Sequence, residues 1–129
     1  MVCLDSDVMI DFLRGEKYAI NKIGELRDSE IELSTTAINA FELFKGALRL
    51  KQHDSKEIIT NFLLHLRILD FNLDASLQAA NIFENLRSKG ELIDPLDLMI
   101  ASIAIINNEP ILTRNLSHFK RIPGLEIID

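Results

Sequence analysis

The stretch DPLDLMIASIAIIN, residues 94–107, reads as a helix that is apolar on nearly every side once Asp97 is passed. A helix without a polar face must be covered all round, so it is expected to be central and buried. Short apolar runs alternate with longer helical patterns around it. VCLD (2–5), IELS (31–34), RILDF (67–71), ILT (111–113) and LEIID (125–129) read as strands. Residues 7–13 and 17–27 read as two helices broken near Gly15. Thr35 or Thr36 can cap a helix running through about Leu50. Residues 55–66 and 74–88 are further helices, the second stopping near Gly90. Strands alternating with helices imply a single-domain, three-layer α/β/α sandwich with a mostly parallel central sheet. The chain's 129 residues suit one domain over 1–129.

Charge narrows the function classes. Twenty acidic against 14 basic residues give a net charge of −6, which argues against nucleic-acid binding through a broad basic surface. A metal-dependent nuclease stays open, because a bound cation inverts the local sign. The positive charge gathers in KGALRLK (45–51) and TRNLSHFKR (113–121), as solvated side chains or as phosphate contacts. No apolar run reaches the roughly 18 residues of a membrane span. Asp5 and Asp7 fall where a secretory leader would be apolar. Cys3, the one cysteine, lies in an apolar run and reads as a small buried hydrophobe. A cytoplasmic protein is the expectation.

The acidic residues are placed selectively. Ligands of open α/β sheets bind beyond the carboxyl ends of the strands. Asp5 ends the first strand, and Thr113 to Asn115 follow the strand at 111. Ser6 or Asp7 can cap the helix after Asp5, or line a site. Asp11, one turn on, reads as a surface residue. With Asp94 as N-cap and Pro95 first, Asp97 stands third in its helix, where it opposes the dipole. Its end of that helix is also the only one free to face a cleft. On a helical wheel, Ala37, Phe41, Phe44 and Leu48 define the core side of their helix. Glu42 then points away with Lys45 and Arg49, as a solvated face would have it. Leu43 and Leu50 also fall off that core side and suit a homodimer or partner contact. Asn115 is a turn former or a ligand for a hard cation or water, and the Thr113 hydroxyl can serve similarly.

LDSDVMIDFLRG near the start, Glu42 in INAFELFKGA, Asp97 in DPLDLMIASIA and ILTRNLSHFKRIPGLEI near the end resemble the four landmark segments of PIN-domain nucleases. The likeness covers nearly the whole chain and is closest to the small VapC-type toxins of toxin–antitoxin pairs. It implies a metal-dependent endoribonuclease that cuts RNA to leave a 5′-phosphate. Asp5, Glu42 and Asp97 take the carboxylate roles, with Asp5 and Asp97 holding Mg²⁺ or Mn²⁺. Glu42 would orient or deprotonate the attacking water, or ligate a second ion. Thr113, Asn115, Ser6 and Asp7 would shape the surroundings. Asn115 occupies the family's fourth acidic position and removes one formal charge. Arg14, Lys45, Arg49, Arg114 and Lys120 are candidates for phosphate contacts. Phe119 could stack on a base, although core packing explains it as well. A cognate antitoxin and a homodimer are the implied partners. Two rivals come from other classes. A receiver-like signalling domain would use Asp70 as phospho-acceptor, but no suitable Lys follows the last strand. A haloacid-dehalogenase-like phosphatase would read Asp5-Ser6-Asp7 as its acidic pair, in a chain short for that fold.

Overall fold

The computed structural model describes residues 1–50 and 54–129. Five parallel strands lie in the order β3-β2-β1-β4-β5. They are β1 (Val2–Leu4), β2 (Leu33–Thr36), β3 (Arg67–Leu69), β4 (Ile111–Leu112) and β5 (Ile127–Ile128). Helices α1 (Ser6–Leu13) and α2 (Lys17–Asp28) join β1 to β2, and α3 (Ala37–Leu50) and α4 (Ser55–Leu63) join β2 to β3. Helices α5 (Leu73–Ser88) and α6 (Pro95–Ile106) lead to β4, and α7 (Leu116–Phe119) to β5. The expected three-layer α/β/α sandwich is therefore present, with a sheet that is parallel throughout.

The pleat sorts side chains between the layers. Leu4 and Leu112 join a core with Val8, Met9, Ile23, Leu43 and Ile59, which covers one face with α1 to α4. Ile111 joins the opposite core with Ile82, Leu86, Ile100 and Phe119, from α5, α6 and α7. Five consecutive residues of α6, Ile100 to Ala104, are buried, as its apolar circumference requires. The connection after β1 enters the first layer and the connection after β4 enters the second. The crevice between those neighbouring strands is a topological switch point, where α/β sheets bind ligands.

Local signals place the elements. Asp94 caps α6 by accepting from the Leu96 N–H at 2.8 Å, with Pro95 next. Thr36 caps α3 by accepting from the Asn39 N–H at 3.0 Å. Gly15 and Gly90 adopt φ of +83° and +67°, the left-handed conformation that ends helices. The cap of α1 is Asp5 rather than Ser6 or Asp7: its Oδ1 accepts from the Ser6 N–H at 2.8 Å. Helix α7 was not expected, because four residues are too short for a periodic pattern. Lys51, at the end of the first basic patch, lies outside the described residues.

The expected core side of α3 is a correction. Leu43 is only 3% exposed, whereas Phe41 and Leu48 are 52% and 65% exposed. The fully buried side of this helix is Asn39, Leu43 and Ala47, and of the expected core side Phe44 alone packs half-buried against the same core. Leu43 is thus core rather than a partner contact, while Leu50 is exposed as expected. Leu43→Ala should destabilise the protein by about 2–5 kcal/mol, and Leu48→Ala by no more than about 0.5 kcal/mol, in urea unfolding followed by circular dichroism.

Candidate active site

Asp5 leaves β1 at the switch point with its carboxyl group buried. Its Oδ1 accepts from the Ser6 N–H at 2.8 Å and from the Asn39 amide at 2.9 Å. Its Oδ2 accepts from the Thr113 hydroxyl at 2.7 Å. The same Asn39 amide donates to Ser6 Oγ at 2.8 Å, and Ser6 Oγ donates to Glu42 Oε1 at 2.7 Å. Thr113 Oγ1 accepts from the Asn115 N–H at 2.9 Å. The Asn115 side-chain amide donates to Asp97 Oδ2 at 3.2 Å. One hydrogen-bonded network thereby joins Asp5, Ser6, Glu42, Asp97, Thr113 and Asn115, drawn from four separate segments. Asp7 is tied in beside them: its Oδ2 accepts from the Arg114 N–H at 3.0 Å, and its Oδ1 from the Val8 N–H at 2.7 Å.

The electrostatics are those of crowded acids in a partly dry crevice. Burial, then the neighbouring Asp7, pushes Asp5 up from 3.8 to about 7, with Asp97 adding to the rise. Its bonds from Thr113 and Ser6 oppose that shift without cancelling it. Burial raises Asp7 and Glu42 in the same direction. Asp97 also acts on Glu42, against a smaller opposing contribution from Lys45. Glu42 is therefore not on a solvated face. It is half-buried and held by Ser6, a second consequence of the way α3 is turned.

The basic candidates divide into two sets. Arg14 is exposed at an apolar cleft lined by Ile10, Leu13, Leu43, Ala47 and Ile59, with Glu42 at the same cleft. Lys45 stands over the Phe41 ring at 5.3 Å, and Arg49 is exposed one turn further along α3. Lys120 is exposed at the end of α7. Arg114 is already engaged, with its guanidinium 4.8 Å from the Tyr18 ring centre and 3.3 Å from Asp11 Oδ2. Asp11 is accordingly no free surface residue: it is half-buried and also accepts from the Tyr18 hydroxyl. Phe119 is fully buried, which leaves it to the core rather than to a base. Burial pushes the Cys3 thiol up and keeps it neutral, in line with a packing role.

Two residues of the network were not singled out from the sequence. Asn39 is buried and connects Asp5 to Ser6. Its signal was its place three residues after the Thr36 cap, where a capping box puts a polar side chain. His118 stands with Nδ1 at 2.6 Å from Asp97 Oδ2. No spacing rule links a histidine in a four-residue helix to an acid 21 residues earlier in the chain.

Carboxylates meet at the switch point of the sheet, and a family model described as PIN domain matches residues 2–125. The chain belongs to the PIN domain family. It is 34% identical over 116 residues to "Ribonuclease VapC2" of Rickettsia felis, across 84% of this chain and 87% of that one. It is 30% identical to the "tRNA(fMet)-specific endonuclease VapC" of Salmonella typhimurium, across 98% and 95% of the two chains. The solved structure of VapBC2 from Rickettsia felis, bound to a DNA fragment from their promoter, superposes with a TM-score of 0.90 at 27% identity. That match covers 99% of this chain and 98% of the other. These comparisons lend the receiver and phosphatase readings no support.

A divalent cation fits the donor set. Asp5 is buried beside further carboxylates, and among the described residues none of its hydrogen bonds comes from a basic side chain. Among the described residues no group of three or more His, Cys, Asp and Glu is gathered to hold a metal ion by itself. A hard divalent cation that keeps several waters needs only one or two carboxylates.

Between about pH 4 and 7 the folded, metal-free protein holds more protons at Asp5 than the unfolded chain does. Stability contributed by Asp5 is therefore present at the acid end and lost as pH rises through that window. Thermal midpoints recorded in EDTA should fall over this range for the wild type, and Asp5→Asn should flatten the fall.

Proposed function

We propose that this chain is a metal-dependent endoribonuclease, one domain over residues 1–129, acting as the toxin of a toxin–antitoxin pair. The observation that carries the reading is the network that joins Asp5, Glu42 and Asp97 at the sheet's switch point. The names of the similar proteins, ribonucleases and an endonuclease, favour RNA as the substrate.

Asp5 and Asp97 hold the cation, Mg²⁺ or Mn²⁺. Bound there, it supplies a lowered water pKa and charge stabilisation on the phosphoryl oxygens. Among the described residues Glu42 Oε2 takes no hydrogen bond while Oε1 is held by Ser6, which suits Glu42 to orient or deprotonate the attacking water. Thr113 and Asn39 fix the Asp5 carboxylate, and Asp7 fixes the backbone at Arg114. Arg14 follows α1, Lys45 and Arg49 are exposed on α3, and Arg114 and Lys120 flank α7. They supply the phosphate contacts that an acidic chain otherwise lacks. Arg114 has to leave Asp11 and Tyr18 to do so.

The structural neighbour is a toxin–antitoxin complex, which supports an antitoxin as this chain's partner. The apolar cleft between α1, α3 and α4, with Glu42 at its edge, is the surface we assign to it. Phe41, Leu48, Leu73 and Leu77 are the exposed apolar side chains we assign to a homodimer. No helix among the described residues is long and apolar enough to cross a membrane, and we place the protein in the cytoplasm.

Asp5→Asn keeps the shape of the side chain and removes its charge. RNA cleavage in Mn²⁺ should drop to the level of EDTA-treated wild type, with an unchanged circular dichroism spectrum. A variant that folds and still cuts RNA like the wild type removes the assignment. Mn²⁺ should also raise the thermal midpoint of the wild type and not that of Asp5→Asn.

A further inference from the structure

Asp97 is gripped on one side only. Its Oδ2 lies 2.6 Å from His118 Nδ1 and 3.2 Å from the Asn115 amide nitrogen. Among the described residues, no hydrogen bond reaches its Oδ1. A carboxylate oxygen only accepts, so Nδ1 of His118 carries the hydrogen and Nε2 is the outward nitrogen. The 3.3 Å between Nδ1 and the Asn115 amide nitrogen is then an approach of two donors. They converge on a shared acceptor rather than on each other. His118 is partly exposed, but the chain on either side of it is anchored. Phe119 is fully buried, and the Phe119 N–H donates to the Asn115 carbonyl at 3.4 Å.

We infer that His118 is a positioning residue for Asp97, acting with Asn115 to hold Oδ2 and leave Oδ1 as the one oxygen Asp97 offers to a divalent cation. The inference rests on the proposed role of Asp97 as a ligand. It assigns helix α7 a purpose, since those four residues carry the imidazole back to the first turn of α6. It also changes the meaning of Asn115. At a position where the resemblance implies a fourth acid, the amide donates a hydrogen bond to Asp97. A carboxylate there would repel it. Partners of this kind fix a ligand's orientation, and their loss typically weakens metal affinity about 10–100-fold.

Isothermal titration of the full chain with Mn²⁺ alone tests this, using wild type, Asp97→Asn, His118→Leu and His118→Asn. Asparagine places an amide N–H near the position of Nδ1, whereas leucine keeps the bulk and no donor. Asp97→Asn should abolish the high-affinity binding. His118→Leu should weaken it about 10–100-fold, and His118→Asn should return most of the loss. In RNA cleavage, His118→Leu should need correspondingly more Mn²⁺ for half-maximal rate and regain kcat at saturating Mn²⁺, which lost packing would not produce. Wild-type Mn²⁺ affinity in His118→Leu, or equal losses in the leucine and asparagine variants, overturns the inference while the nuclease reading stands. Wild-type affinity in Asp97→Asn removes the ligand role of Asp97, and the inference with it. If His118→Leu fails to fold, His118→Asn against the wild type decides: a tenfold or greater loss despite the retained donor overturns the inference.

Discussion

The structure turns on a carboxyl group taken out of water at the end of β1. A buried carboxylate without partners costs several kcal/mol, and among the described residues no basic side chain bonds to Asp5. Its donors come instead from the α1 backbone, from Asn39 of α3 and from Thr113 after β4. Each bond fixes a different segment to the same point, so satisfying one acid sets the relative positions of three connections. Burial and the neighbouring Asp7 raise Asp5, the bonds from Thr113 and Ser6 lower it, and the group is left pushed up to about 7.

The other two carboxylates repeat a simpler pattern. Glu42 has Oε1 bound by Ser6, and Asp97 has Oδ2 bound by His118 and Asn115. In each, one oxygen is tied and the other makes no protein hydrogen bond among the described residues. A side chain held by one oxygen has lost most of its freedom before any ligand arrives, so less remains to be ordered on binding. Asp7 takes a different part. Both its oxygens are occupied by backbone N–H groups, and it braces the loop that carries Thr113 and Asn115.

What the sequence shows clearly is whatever rests on local chemistry. The strands, the cap-and-proline start of α6 and its all-apolar body follow from spacing and composition, and so does a parallel sheet with Asp5 and Thr113 at its carboxyl edge. The face of α3 was not legible in the same way. Phe41 and Leu48 are large and apolar, and periodicity gives them to the core, but a stripe of Asn39, Leu43 and Ala47 lies inward. Apolar residues on more than one side of a helix mean that size alone does not identify the buried side. Glu42 was misplaced by the same error, and only the likeness of its segment to a known family pointed to a site. Asn39 and His118 escaped for another reason: each acts on an acid 34 or 21 residues away, a separation that tertiary structure alone closes. Asp11 became half-buried through Tyr18 and Arg114, partners equally invisible to local pattern.

The hydrogen bond from Thr113 to Asp5 spans 108 positions of the chain. During synthesis, β1 and its acid emerge well before β4. Until residue 113 is available, Asp5 lacks a donor on Oδ2, and β1 lacks its neighbour in the sheet. Contacts of such separation form late, because the intervening chain must be ordered before they can hold. A growing chain therefore carries Asp5, Glu42 and Asp97 before it carries Thr113 and Asn115, which hold two of them. For a protein whose proposed substrate is the RNA of the cell that makes it, the delay separates manufacture from activity.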